Sequence, residues 1–120
     1  GGTLDLIAEL DGETWLLDWK TGKSVAWPDG RVYADHRLQL AAYANAEFIA
    51  RPNDPERHPV PAITRYGIVH VTDGGTRLYE AIVTPRDWIA FRACLALHAL
   101  LVGLARLAFS ARDVERRLFV

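Results

Sequence analysis

An Asp11-Gly12 pair set between two apolar runs constrains this chain more than any other feature. Asp-Gly is a strong signal for a two-residue hairpin turn, because both central residues of that turn need positive φ. The flanking runs, residues 3–10 (Thr-Leu-Asp-Leu-Ile-Ala-Glu-Leu) and 13–20 (Glu-Thr-Trp-Leu-Leu-Asp-Trp-Lys), read as strands that pair with Leu10 opposite Glu13. Carried down the hairpin, that register sets Asp5 opposite Asp18, Ile7 opposite Leu16 and Thr3 opposite Lys20, all on one face. Directly opposed side chains stand roughly 4.5–5.5 Å apart at Cβ, and like charges so placed are destabilising. A divalent metal gripped by both carboxylates, with an ammonium beside it, is the simplest way to offset that repulsion.

The rest of the composition narrows the class. A chain of 120 residues is one domain at most, and half of it is apolar with 24% charged, as in a globular protein. Its net charge of −1 supplies no basic field, so a nucleic-acid partner has to rest on local patches. The single cysteine, Cys94, excludes a disulfide framework and thiolate-rich clusters. A reducing compartment and a cytoplasmic location are expected, and no signal peptide is visible. The chain opens at Gly1-Gly2 directly onto a strand and contains no methionine, so residues 1–120 are read as a single domain that lacks its N-terminal part.

Beyond the hairpin, residues 21–34 hold two glycines and a proline and read as a loop. Asp35 is a candidate N-cap for a helix over 36–50, with Leu38, Ala42, Phe48 and Ile49 on its apolar side. The proline-rich stretch 52–62 reads as a linker. Ile63–Val71 and Thr76–Val83, around Asp73-Gly74-Gly75, read as a second hairpin. Thr84-Pro85 opens a long helix to about Phe109, and Ser110-Ala111-Arg112-Asp113 starts a short last one. The expected order is β-β-α-β-β-α-α, an α+β or α/β fold with a mixed sheet built from two hairpins and flanked by helices. The segment Trp88–Phe109 has the length of a membrane span, but Arg92, His98 and Arg106 interrupt it. Each arginine at bilayer centre costs roughly 2.5–3.5 kcal/mol on insertion scales. It is therefore read as a helix buried over the sheet, with enough apolar surface to pack on something further, and no membrane partner is expected.

Hydrolysis of a phosphodiester needs a nucleophilic water, neutralisation of the phosphoryl oxygens and help for the leaving alkoxide. One or two Mg²⁺ ions supply much of this. Mg²⁺ takes oxygen ligands, so two aspartates suffice without histidine or cysteine. Lys20 shares a strand face with Asp18 and can orient the water or balance developing charge. Trp19 points to the opposite face, where it is expected to pack in the core, while its backbone carbonyl stays close enough to be a further oxygen ligand.

Gly2-Thr3-Leu4-Asp5, Asp18-Trp19-Lys20-Thr21-Gly22 and Gln39-Leu40-Ala41-Ala42-Tyr43 together resemble the successive motifs of RecB-type nucleases of the PD-(D/E)XK superfamily. The resemblance implies a restriction-endonuclease-like core in which Asp5 and Asp18 bind the metal, Lys20 assists catalysis and Trp19 lends its carbonyl. Gln39 and Tyr43, spaced i, i+4 on one helical face, lie by the active site and the nucleic-acid strand. The implied activity is Mg²⁺-dependent cleavage of DNA, with Mn²⁺ able to substitute, of exonuclease type in recombination, repair or phage DNA processing. The implied partners are DNA ends or single strands and a helicase subunit or domain. Such nucleases carry an upstream helix with a His or Glu that completes the site, which the resemblance implies lies before Gly1. The four cysteines of the iron–sulphur members are also missing, so no such cluster is expected.

Other residues carry weaker signals. Lys23 and Arg37, with Arg31 and His36, are candidate phosphate contacts, although scattered loop charges are commonly just solvated. His70 and His98 are read as structural histidines, Cys94 as a small core residue, and Arg51, Arg57 and His58 as solvent-facing. Two rival functions remain open on the sequence: a DNA-binding module that keeps the fold without cutting, and a structural domain that binds a partner protein through its apolar helix.

Overall fold

The structure, a computed structural model, describes residues 2–119, with side chains described for residues 2–107. Elements follow as β1 (Leu6–Leu10), β2 (Glu13–Lys20), α1 (Ala34–Ala44), β3 (Arg65–Thr72), β4 (Gly75–Ala81) and α2 (Pro85–Phe119). The strands form one mixed sheet in the order β1-β2-β3-β4, an α+β arrangement. Asp11 and Gly12 take φ of 53° and 78°, the left-handed pair that their turn demands. Leu10 pairs with Glu13 and Ile7 with Leu16, the register read from the sequence. Regular pairing stops at Leu6, so β1 is shorter than expected and Asp5 stands one residue beyond the ladder. The second hairpin turns at Asp73-Gly74, with Thr72 opposite Gly75.

The hairpins join through a parallel β2–β3 ladder that sets Asp18 beside Ile68 and Lys20 beside His70. Parallel neighbours require a crossover, and residues 21–64, with α1 among them, supply it. Side-chain alternation sends Leu16, Asp18 and Lys20 to one face of β2 and Trp15, Leu17 and Trp19 to the other. On the first face Leu16, Ile68 and Ala81 close against Leu40 of α1 and against Val25 and Val32 of the crossover. Trp15, Leu17 and Val69 form a smaller cluster on the second. Trp19 was expected to join a core there and instead stays 47% exposed, because α1 packs on the opposite face.

Both helices differ from expectation. Helix α1 ends at Ala44, leaving Phe48 and Ile49 outside it, and buries Leu40 and Ala41 rather than Leu38 and Ala42. Tyr33, not Asp35, is its N-cap and makes no side-chain capping bond, while Asp35 Oδ1 accepts the His36 N–H at 2.9 Å. Helix α2 is continuous, so Ser110–Asp113 lies within it and the order is β-β-α-β-β-α.

Nor does α2 blanket the sheet. It packs against α1 and then runs past it. Thirty-five residues of helix span about 52 Å and the eleven of α1 about 16 Å, so most of α2 has no surface to lie on. Ile89, Leu95, Leu97, Leu100, Leu101, Leu104 and Leu107 are all more than half exposed. Cys94 and His98, expected within an apolar interior, are exposed for the same reason. By length and composition Pro85–Leu107 is sufficient to cross a membrane, and its most apolar window, of mean hydropathy 1.8, contains no buried residue.

Candidate active site

Asp18 is the centre of the polar face. It lies on β2 next to Leu16 and Ile68 and is 3% exposed. Lys20 Nζ stands 2.6 Å from its Oδ2. That contact is an ion pair directed away from hydrogen-bonding angles, so this buried oxygen has a charge partner but no directed donor. Burial, which strips water from the ionised form, pushes the Asp18 carboxyl above its ordinary value; Lys20 draws it back, and the Asp5 carboxylate pushes it up again.

Asp5 reaches the site from the end of β1. Its Oδ2 accepts the backbone N–H of Trp19 at 2.8 Å, which stitches the strand end to the residue between Asp18 and Lys20. Thus the two aspartates approach each other even though Asp5 has left the regular ladder.

Lys20 is half-buried and held from a second side by α1. Its Nζ donates to Gln39 Oε1 at 2.9 Å, and Gln39 Nε2 donates to the Tyr43 hydroxyl at 3.0 Å. An ammonium offers only donors, so it fixes which end of the Gln39 amide faces it. The Tyr43 ring in turn rests on Gly2, where a Cβ would lie 3.0 Å from Cε1. Gln39 and Tyr43 thus form a chain of contacts that orients the lysine.

The remaining candidates divide. Lys23 is exposed on the loop after β2. Arg37 is turned elsewhere: its Nη1 donates to Val32 O at 2.7 Å and its Nε meets Asp87 Oδ1 at 3.4 Å, tying α1 to the crossover and to the start of α2. Arg31 is paired with Asp29 at 2.6 Å, and His36 lies against Tyr33. His70, beside Lys20 in register, donates from Nε2 to Gly22 O at 2.8 Å and pins the loop that leaves β2. That role has no local signal, because the bond joins residues 48 apart.

Asp5 and Asp18 bring together carboxylate oxygens of the kind Mg²⁺ takes, with the Trp19 carbonyl the third donor expected from the sequence. A divalent cation would give the buried Asp18 oxygen a partner and would offset the repulsion between the two carboxylates. A separate trio, Asp54, Glu56 and His58, has ligand atoms within 4.8 Å of one another on the proline-rich loop. There Asp54 Oδ1 already accepts the Glu56 N–H at 3.0 Å as a local turn, and nothing else on that loop points to a ligand. The chain matches no protein-family model, no curated protein and no solved structure.

Proposed function

We propose that this chain is the catalytic core of a metal-dependent nuclease of the RecB-like PD-(D/E)XK type, hydrolysing DNA phosphodiester bonds. The observation that carries the reading is the meeting of two carboxylates and an amine, one carboxylate buried and short of a directed donor, at the end of β2. A structural ion pair does not need the second aspartate, which raises the cost of ionising the first. Sites that hold like charges together against local stability are those where perturbed acids do chemical work.

In this reading Asp5, Asp18 and the Trp19 carbonyl would hold Mg²⁺, which would supply a more acidic water and neutralise charge on the phosphoryl oxygens. Lys20 provides positive charge where negative charge develops, at no reorganisation cost because Gln39 and Tyr43 already hold it. Asp5, by accepting the Trp19 N–H, keeps the β1 end and its carboxylate in position.

The test is Mg²⁺-dependent cleavage of labelled DNA by the purified protein and by Asp18→Ala and Lys20→Ala. Loss of cleavage in both variants with an unchanged circular dichroism spectrum is expected. Wild-type rates in either variant remove the assignment.

The exposed apolar length of α2 favours a second reading, a domain that docks on a partner protein. Metal titration separates the two, since Mn²⁺ binding that depends on Asp5 and Asp18 has no place in a purely structural domain.

A further inference from the structure

We propose that the groove between the 24–33 loop and β4 is a base-stacking subsite for single-stranded nucleic acid, leading into the Asp5–Asp18–Lys20 site. The proposal rests on the nuclease reading for what lies at its end, and it adds the surface that selects the strand.

The groove has a volume of about 350 Å³ and is lined chiefly by Ser24, Trp27, Tyr33, Arg77 and Tyr79. That lies within the range of small-molecule sites. Its first wall is a rigid display of aromatic rings. Trp27 is 55% exposed, yet the loop that carries it is anchored by Val25 and Val32, both 2% exposed. Trp27 N–H donates to Arg31 O at 2.9 Å, Gly30 N–H to Trp27 O at 2.8 Å, and Tyr33 N–H to Val25 O at 3.1 Å. The Trp27 and Tyr33 rings meet edge to face at 5.1 Å, and the Tyr33 hydroxyl lies 2.8 Å from Ser24 Oγ. A large apolar ring held this firmly in solvent is pre-organised for a flat partner.

The second wall supplies charge. Arg77 stacks its guanidinium 4.7 Å over the Tyr79 ring and has no carboxylate partner among the described residues. A nucleobase offers a π-face to Trp27 or Tyr79, and the adjoining phosphate offers an anion to Arg77. Bases in a duplex are already stacked on each other, so this combination selects a single strand.

Position links the groove to the chemistry. Across the sheet Lys20 is in register with His70, and His70 with Arg77. Two inter-strand steps separate Arg77 from Lys20, about 10 Å. His70 fills the interval, 6.4 Å from the Tyr79 ring and bonded to Gly22 O at the root of the loop.

The test measures binding in EDTA, so that no strand is cut, by fluorescence anisotropy of a short labelled oligothymidylate, free or annealed to oligoadenylate. The wild-type protein is expected to prefer the single strand. Trp27→Ala and Tyr79→Leu each weaken that binding by about 5- to 100-fold, the range for loss of one base–aromatic stack. Trp27→Phe keeps most of the affinity, and Phe48→Ala, which removes an exposed ring outside the groove, leaves it unchanged. Arg77→Glu, at an exposed position, also weakens it. An oligouridylate probe distinguishes DNA from RNA, and Trp27-dependent binding of either supports the subsite. Equal affinity for single strand and duplex, no single-strand binding, or wild-type affinity in either Trp27→Ala or Arg77→Glu overturns the proposal. Binding that depends on Trp27 without any Mg²⁺-dependent cleavage removes the nuclease reading and leaves the groove; cleavage with Trp27-independent binding does the reverse.

Discussion

Lys20 Nζ donates to Gln39 Oε1 at 2.9 Å, joining residues 19 apart through β2 and α1. The amine is thereby held between a carboxylate on its own strand and an amide on the helix that packs over that strand. A lysine loses much rotamer freedom when fixed this way, and here two partners share the work of fixing it.

Replacing Gln39 should therefore disturb catalysis more than binding. Gln39→Leu is expected to lower kcat by about 10- to 100-fold, as for other residues that orient a reacting group, with KM nearly unchanged. Lys20→Ala, which removes the charge itself, should cost about 100- to 1,000-fold. Single-turnover cleavage at saturating Mg²⁺ reads both effects. A Gln39→Leu enzyme with the wild-type rate would show that the helix does not position the lysine.

Asp18 predicts opposite signs for stability and activity. Its carboxyl is raised above the ordinary 3.8 by burial first, with Asp5 adding to the rise. A group raised in the folded state contributes stability that is fully present below its unfolded pKa and is lost as pH rises through the folded value. Metal-free protein should thus give up stability at Asp18 on going from strongly acid to neutral pH. Asp18→Asn carries no charge to desolvate, so its Tm in EDTA at neutral pH should equal or exceed that of the wild type. Mn²⁺ should raise the wild-type Tm by mass action and leave the variant's unmoved. Melts in EDTA and in Mn²⁺ decide it: a clear loss of Tm in metal-free Asp18→Asn contradicts the argument.

Arg37 offers a test between scaffold and ligand. Asp87, 8% exposed, accepts the Thr84 N–H at 2.8 Å and the Thr84 hydroxyl at 3.3 Å while meeting Arg37. Asp87→Ala strands these donors and removes a helix cap, which should destabilise the fold by about 1–3 kcal/mol. Arg37→Ala should likewise lower Tm while leaving DNA affinity near the wild-type value, since its guanidinium is already engaged by Val32 O and Asp87. A DNA affinity that falls sharply at unchanged stability would return Arg37 to the phosphate contacts.

Packing on the two sheet faces should respond unequally. Leu40 is fully buried where α1 meets the sheet, and Leu40→Ala should cost about 2–5 kcal/mol in denaturant melts. Gly67 faces the thinner cluster, where a Cβ would lie 2.8 Å from Leu78 Cδ1 and 2.9 Å from Leu17 Cδ2. Leu78 is 47% exposed and free to swing aside, but Leu17, 6% exposed, has to shift as well, so Gly67→Ala should cost about 1–3 kcal/mol. Equal losses at the two positions would mean that both faces are packed alike.

The hairpin and its aspartates were legible because their causes are local. Positive φ at Asp11 and Gly12 sets a two-residue turn, and alternation then assigns every side chain of β1 and β2 to a face. The same reasoning failed for Trp19: alternation tells which face a residue takes, not whether anything lies over that face. Trp27, Tyr33, Arg77 and Tyr79 went unnoticed because they come from a loop and a strand far apart in the chain, and no periodicity connects them.

Sequence alone determined the turn, the strand register, the mixed set of elements and the side of the sheet that bears Asp18 and Lys20, since each follows from backbone sterics over a few neighbouring residues. Tertiary structure decided that Gln39 rather than solvent meets Lys20, that Arg37 is bound into the scaffold, and that α2 runs beyond the surface expected to bury it. Those outcomes depend on where one element ends relative to another. An eleven-residue helix cannot cover a thirty-five-residue one, and only the assembled lengths in space reveal the mismatch.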